Sequence, residues 1–507
     1  MDDSRTLNTK RNIISGTIKQ ILNIALPFVI RTIVLYTLGA EYQGLSGLFT
    51  SILSVLNLTE LGFSTAVMVA LYSPLAKKDY QTVCAITTYL KKVYNYIGIT
   101  ILALGLLLLP FLPRLITGSV PNDVNIYILF IIYLLNAAIS YMLFAYKSVV
   151  INAMQREDIV SNISTVSSTA IRLAQIIVLL MFKNYYVYIL VLPIGTIVNN
   201  FLLQYYSKKY FPNIKPIGAI EKETRLEIVN QIKAIFIGKI GDVARNSCDD
   251  IVISAFLGLS MVAVYDNYYY IYAALYALLL VFMRAMQASV GNSIVVENKE
   301  KNYKDLKIFT FIFMWITGWC TACMCALYQP FMTMWMKNNN DMLLSTGNMV
   351  LFCIYFYAIN MNDTRNLYIT GAGLYPQCKN WFIIETLSNL TLNIVLGKLF
   401  GITGIIVATI ITIFLFNFIA RTNVLFKSYF MISSKAFYLS HMKYLVVTVG
   451  VCFINYIACN AINAQGVLGF ILKLILSFAL PNIIYILTYF KSESFKDMLL
   501  FAKKVLK

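Results

Sequence analysis

Fourteen stretches of about 20 predominantly apolar residues follow one another along the chain, near 13–38, 46–71, 85–110, 122–146, 159–182, 185–206, 230–257, 262–295, 308–330, 343–370, 380–400, 402–423, 443–462 and 467–490. Each is long enough to cross a bilayer, where a helix satisfies its own backbone polar groups. The sequence therefore predicts an all-α polytopic membrane protein with about 14 transmembrane helices. Hydrophobic residues make up 59% of the 507 and charged residues 13%. Little is left for a soluble domain, which excludes secreted, nucleic-acid-binding and cytosolic enzyme folds.

The formal net charge of +18 has a topological reading, because Lys and Arg collect in cytoplasmic loops and set orientation. With the amino terminus inside, about 25 of the basic residues fall in cytoplasmic segments and about 4 in external loops. The richest cytoplasmic segments hold Lys208, Lys209, Lys215, Lys222 and Arg225, then Lys299 to Lys307, then the tail from Lys491. Both termini are thus expected in the cytoplasm of a bacterial cell-membrane protein. The first apolar segment is too long, and too interrupted by Pro27 and Arg31, for a cleaved signal peptide; it is expected to stay as the first span. The tail KSESFKDMLLFAKKVLK alternates lysines with apolar residues as an amphipathic helix on anionic lipid does.

The chain also repeats itself. Thr37-Leu38-Gly39 corresponds to Phe256-Leu257-Gly258, Lys77-Lys78-Asp79-Tyr80 to Glu300-Lys301-Asn302-Tyr303, and Ile151-Asn152-Ala153 to Ile369-Thr370-Gly371. The offsets (39 to 258, 80 to 303, 153 to 371) are nearly equal, which predicts two parallel six-span lobes. The expected organisation is 1–206 for the first lobe, 207–229 for a cytoplasmic linker and 230–423 for the second lobe. Residues 424–490 hold the last two spans, and 491–507 form the tail. Lobes related by an axis along the membrane normal usually enclose a midplane site that opens alternately to either side.

Charges inside spans are costly and mark pathways or internal ion pairs. Arg31 lies in span one and Glu60 in span two, and Asp242, Arg245, Asp249 and Asp250 lie on span seven. Arg31 precedes Gly39, and Asp250 precedes Gly258, by the same eight residues. The repeat thus sets a cation in one lobe against an anion at the same depth in the other, either as a structural pair or as a ligand cation facing a coupling carboxylate. Arg172, Lys239, Arg284, Arg365, Asp266, Asp363 and Glu385 are further intramembrane charges; for Arg284 and Arg365 snorkelling to the cytoplasmic end is the plainer account, and for Asp363 with Arg365 a local pair.

For an anionic headgroup we expect Arg31, Arg245 and Arg284 to supply charge-assisted bonds, since guanidinium stays protonated and presents a planar fork. For coupling to Na⁺ or H⁺ we expect Asp249 or Asp250, then Glu60, because a desolvated carboxylate responds to which side it faces. Tyr265, Tyr269 and Tyr272 share a helical face with Tyr276; they read as an interfacial aromatic belt or as a platform for sugar rings. The nine cysteines read as small membrane residues, including the cluster Cys320, Cys323 and Cys325, and the solitary His441 reads as cytoplasmic. With no nucleotide-binding motif and no clustered His ligands, neither cofactor nor metal is expected.

Two six-span lobes, the opening QILNIALPFVIRTIVLYTLGAEYQGLSGLFTSILSVLNLTELGFSTAV and the stretch CDDIVISAFLGLSMVAVYDNYYYIYAAL resemble the polysaccharide transporters, or O-antigen and teichoic-acid flippases, of the multidrug/oligosaccharidyl-lipid/polysaccharide exporter superfamily. The resemblance spans essentially the whole chain. It implies a fourteen-span transporter, not an enzyme, with a cationic cavity for the diphosphate and sugars of an undecaprenyl-linked oligosaccharide. The partners it implies are that lipid-linked substrate, membrane lipids and the polysaccharide polymerase machinery of capsule, O-antigen or teichoic acid; no nucleic acid is expected. Drug exporters of the superfamily usually stop at twelve spans, so the extra pair favours the lipid-substrate branch. The likeness to the lipid II flippase group is weaker, since that group carries several arginines near its start where this chain has Arg31. A multidrug or cation antiporter is the alternative. A membrane glycosyltransferase or polymerase is the remoter one, because such enzymes need a large external loop and none here exceeds about 15 residues.

Overall fold

A computed structural model of the protein describes the backbone of residues 21–60, 62–337, 339–464 and 466–505, with side chains throughout except at 59, 231, 233–246, 284–285, 288–289, 502 and 504–505. Among the described residues, helices cover much of the expected apolar stretches: α1 Ile21–Thr37, α2 Ala40–Leu56, α3 Phe63–Ala76, α4 Tyr80–Leu108, α5 Ile126–Met142, α6 Tyr146–Ala153, α7 Glu157–Phe182, α8 Tyr185–Tyr210, α9 Lys222–Leu257, α10 Leu259–Val296, α11 Lys299–Trp335, α12 Thr346–Asn360, α13 Asp363–Gly371, α14 Tyr375–Phe400, α15 Ile402–Phe430, α16 Lys435–Asn460, α17 Gly466–Tyr489 and α18 Glu493–Val505. Among the described residues, nine helical segments are each long and apolar enough to cross a bilayer, ten if the bent pair α5–α6 counts as one span.

Short polar loops punctuate these helices by capping them. Asp79 takes the Thr82 N–H at 3.1 Å to start α4, Asn184 takes the Val187 N–H at 3.2 Å to start α8, and Asn298 takes the Lys301 N–H at 2.8 Å to start α11. The linker is shorter than expected. Glu223, Glu227 and their basic neighbours are good helix formers, so α9 begins at Lys222 and only 211–221 lies between α8 and α9.

Helix boundaries recur at a near-constant interval. Helices α7 and α14 each have 26 residues, beginning at 157 and 375, and each ends on a left-handed residue, Lys183 (φ 46°) or Gly401 (φ 60°). Helices α6 and α13 end at Ala153 and Gly371, each followed two residues on by another left-handed residue, Gln155 (φ 59°) or Gly373 (φ 66°). The repeat fails at one place. Helix α10 runs unbroken from 259 to 296, whereas the corresponding stretch 40–76 is interrupted by a 3-10 turn, Asn57–Glu60, and by Gly62 at φ 87°. Asn57, Thr59 and Gly62, spaced through this run, are weak helix formers.

Contacts group the chain into two compact units that divide between Ala263 and Val264. Helix α9 therefore packs with the first six spans, although the repeat makes it the counterpart of α1. It packs along α2, and Gly44 of α2 leaves room for the start of α10 just beyond it: a Cβ there would stand 2.0 Å from the Leu259 carbonyl oxygen. In the second unit the apolar face of α18 docks on α11, with Phe501 on Phe309 (ring centroids 5.4 Å), Phe495 on Trp315 (5.8 Å) and Asp497 near Lys304 (3.7 Å). Protein thus takes part of the apolar face that the sequence assigns to lipid.

Candidate functional site

Ionisable side chains of the first unit gather at three places. Asp250 on α9 accepts a hydrogen bond from Ser51 Oγ on α2 at 2.6 Å, and both are buried. Asp249 is also buried; successive helical residues point about 100° apart, so the two carboxylates serve different directions. The packing of α9 along α2 is what brings Ser51 to Asp250.

Glu60 sits at the break in the second span rather than in mid-helix, as the apolar run suggested. Ser64 Oγ donates to its carboxylate, and the same hydroxyl lies 2.7 Å from Tyr94 Oη, so Glu60, Ser64 and Tyr94 form a polar chain across α3 and α4. An interrupted membrane helix is tolerated where protein or a cavity receives its freed backbone groups. Breaks of this kind frame ion and substrate sites in transporters.

Arg31 on α1 is half-buried, and its charge and that of Arg172 on α7 both act on Tyr188 of α8. Tyr188 is buried and stacks on Tyr185 at 5.7 Å. The cluster continues through Tyr185 Oη, which donates to the Tyr42 carbonyl at 3.0 Å, and through Tyr133, which donates to Ser46 at 3.0 Å. Two cations from distant parts of the sequence thus lie within electrostatic range of one tyrosine. The α-helical backbones of Asp242, Arg245 and Arg284 are described, and their side chains lie outside the described residues.

In the second unit the tyrosine stripe is mostly core. Tyr265 packs on Phe352 (5.3 Å) and Tyr272 stacks on Tyr355 (4.7 Å, 19°), both buried; Tyr269, half-buried, stacks on Tyr265 at 6.0 Å. Of the three, Tyr269 retains accessible ring surface.

A buried ionic cluster stands elsewhere in that unit. Arg421 pairs with Glu385, and its guanidinium lies 3.6 Å from the centre of the Phe382 ring. Arg365, fully buried rather than snorkelling, donates to the Asn417 carbonyl, to Asn417 Oδ1 (2.6 Å), the Phe418 carbonyl (3.3 Å), Thr422 Oγ1 (3.2 Å) and Asn366 Oδ1 (2.7 Å). Those carbonyls belong to the π-helical stretch Ile413–Ala420 of α15, so Arg365 satisfies backbone that an ordinary helix would use internally. The arrangement is that of a structural brace. His441 is buried on α16, with Nδ1 3.1 Å from the Phe437 carbonyl and its ring 4.2 Å from Phe437, and is not a solvated cytoplasmic residue. Sequence reasoning did not single out Arg421, whose signal is a lone cation in the run IFLFNFIARTNVLF, nor Ser51, Ser64 and Tyr94, which carry no signal by themselves.

Arg31 and Arg172 are thus the candidate anion-binding side chains of the first unit, and Asp249, Asp250 and Glu60 its candidate cation-binding ones. Residues 9–287 match the family described as polysaccharide biosynthesis protein. Among solved structures, the chain is similar to the lipid II flippase MurJ in an inward closed conformation (16% identity, TM-score 0.68, 94% of this chain and 98% of that one). It is also similar to an inward-facing multidrug resistance transporter of the MATE family (13% identity, TM-score 0.65, 82% and 99%) and to a transporter of the MOP superfamily from Pyrococcus furiosus (11% identity, TM-score 0.55, 83% and 96%). No curated protein matches by sequence. These likenesses show a transporter fold, and the apolar helices make it a multi-pass protein of the bacterial inner membrane.

Proposed function

Because the chain belongs to the polysaccharide biosynthesis protein family, we propose that it is a flippase for undecaprenyl-diphosphate-linked oligosaccharides, carrying repeat units from the cytoplasmic to the outer leaflet by alternating access. What supports the reading is that Arg31 and Arg172, two half-buried cations of the first unit, both lie within electrostatic range of its tyrosine cluster at Tyr188. A diphosphate in hydrocarbon would lose several kcal/mol per charge; two guanidinium groups beside phenolic hydroxyls replace the lost hydration with charge-assisted bonds. The polyprenyl tail stays in lipid while the headgroup crosses. In this reading fourteen spans leave both termini in the cytoplasm, the six-span lobes follow the repeat, and polymerase machinery takes over the product outside.

Asp250, with Asp249 and Glu60, is the proposed seat of cation coupling. An interior-negative potential contributes about 2.3 kcal/mol per charge per 100 mV, so it assists an outgoing anion, and an incoming cation resets the empty carrier. Arg245 and Arg284 stay candidates for the headgroup, and Tyr269 is the preferred sugar contact over Tyr265 and Tyr272.

Deleting the gene in its native strain and assigning undecaprenyl-linked oligosaccharides to a leaflet tests the reading. Complete repeat units should accumulate on the cytoplasmic leaflet. Truncated units would mean a glycosyltransferase and complete outer-leaflet units a polymerase, and either would refute it. The three carboxylates of the first unit favour a second reading, a cation-driven multidrug antiporter; resistance on expression with no change in lipid-linked sugars would select it.

A further inference from the structure

Four helices of the second unit, α11, α12, α16 and α17, line a half-open cavity of about 590 Å³ that shares no residue with the sites above. Its polar lining includes Gln329, Thr333, Lys337, Thr346, Asn460 and Lys473. Among the described lining residues there are two lysines and no carboxylate. The volume lies in the range, roughly 300–1,000 Å³, that accommodates small-molecule ligands.

The lining follows from helical register. Residues 466, 469, 470 and 473 of α17 share one face, as do 326, 329, 330 and 333 along α11, and Lys337 follows just past the end of α11. The other face of α17 is exposed and apolar at Val467, Leu468, Ile471, Leu472, Leu474 and Ile475, which suits contact with lipid chains. Lys473 lies seven residues into α17, about 10 Å along its axis. A lysine at that depth in an apolar helix is costly unless its ammonium reaches a polar chamber, and here it lines one.

The chamber also has a defined depth. Tail helix α18 docks at Phe309, and Thr333 follows 24 residues later on the same helix, roughly 36 Å away. That is close to the roughly 40–45 Å of a bilayer with its headgroups, so the chamber and α18 stand at opposite membrane faces.

We propose that this chamber binds the phosphate group of an anionic lipid in the leaflet opposite α18, Lys337 and Lys473 holding the phosphate oxygens and Gln329, Thr333 and Asn460 donating to them. Lysine binds phosphate as a point charge and needs no planar fork. Phe470 and Met334, also in the lining, take the first methylenes of the attached chain. Calling that leaflet the outer one rests on the orientation proposed above; the site itself does not.

Native mass spectrometry of the full-length protein with phosphatidylglycerol, phosphatidylcholine or inorganic phosphate tests this. Phosphatidylglycerol adducts should survive activation where phosphatidylcholine adducts do not, and Lys337→Gln with Lys473→Gln should reduce them roughly tenfold, while Lys473→Arg retains them. Competition by millimolar inorganic phosphate would identify the free anion as a ligand of the same site; its absence would identify the lipid headgroup. Equal retention of both lipids, or undiminished binding by the double variant, overturns the proposal. If the double variant does not fold, Asn460→Asp adds a carboxylate with both lysines in place; unchanged phosphatidylglycerol binding by it overturns the proposal equally. Binding is read on purified protein, so its failure leaves the transport reading standing, and a failed transport reading leaves the binding result standing.

Discussion

Asp250 and Arg31 show what a single charge does in an apolar helix. Asp250 keeps its Ser51 hydrogen bond if only its charge is removed, so Asp250→Asn separates charge from packing: transport should lose its dependence on Na⁺ or H⁺ while the protein still accumulates in the membrane. Ion-gradient dissipation in proteoliposomes checks this, and an unchanged ion dependence would shift the assignment to Glu60. Arg31→Ala should abolish headgroup transport at unchanged abundance; normal leaflet distribution of the lipid-linked sugar would remove Arg31 from the site. The contrast is with Arg421 and Glu385, a buried pair in the second unit. Glu385→Gln leaves a buried guanidinium without its counter-charge, a loss of about 3–5 kcal/mol, and should appear as a lower melting temperature in detergent. Arg31 and Asp250 were legible in the sequence as mid-span charges placed alike relative to Gly39 and Gly258. Arg172 was visible as a charge, but that it and Arg31 both act on Tyr188 was not, since the three residues stand far apart in the sequence.

At the scale of elements, the informative departure is the break between α2 and α3. Gly62 has φ 87°, a left-handed conformation that costs an L-residue about 1–2 kcal/mol. Gly62→Ala should therefore press the stretch toward a continuous helix like its counterpart α10, displacing Glu60 from Ser64. The expected result is impaired transport with the protein still folded, scored as retained monodispersity with lost leaflet transfer; full activity would show that the break is not used. The second element-scale device is the close approach of the start of α10 to α2. Gly44→Val would drive side-chain atoms into the Leu259 carbonyl, and overpacking of this kind costs about 1–3 kcal/mol, so membrane abundance should fall. The sequence marked Gly44 as part of a motif without revealing its reason, which is the approach of a backbone more than 200 residues away.

For the whole molecule, the repeat and the contact pattern give different divisions, and the difference is physical. Homology of position follows the order of spans, and places α9 with α1. Packing follows which faces are complementary, and places α9 against α2, where Ser51 bonds Asp250. Periodicity and length alone determined the all-helical membrane architecture, the helix positions and the repeat, because the bilayer demands about 20 apolar residues per span and internally satisfied backbone wherever the chain crosses it. Cap residues such as Asp79, Asn184 and Asn298 set the loop boundaries for equally local reasons. Tertiary structure alone decided that Tyr265 and Tyr272 are core while Tyr269 keeps an open face, that His441 and Arg365 are buried, and that Ser51 meets Asp250. In an apolar helix every face reads alike in hydropathy, so the direction a polar side chain takes is fixed by the partner packed against it.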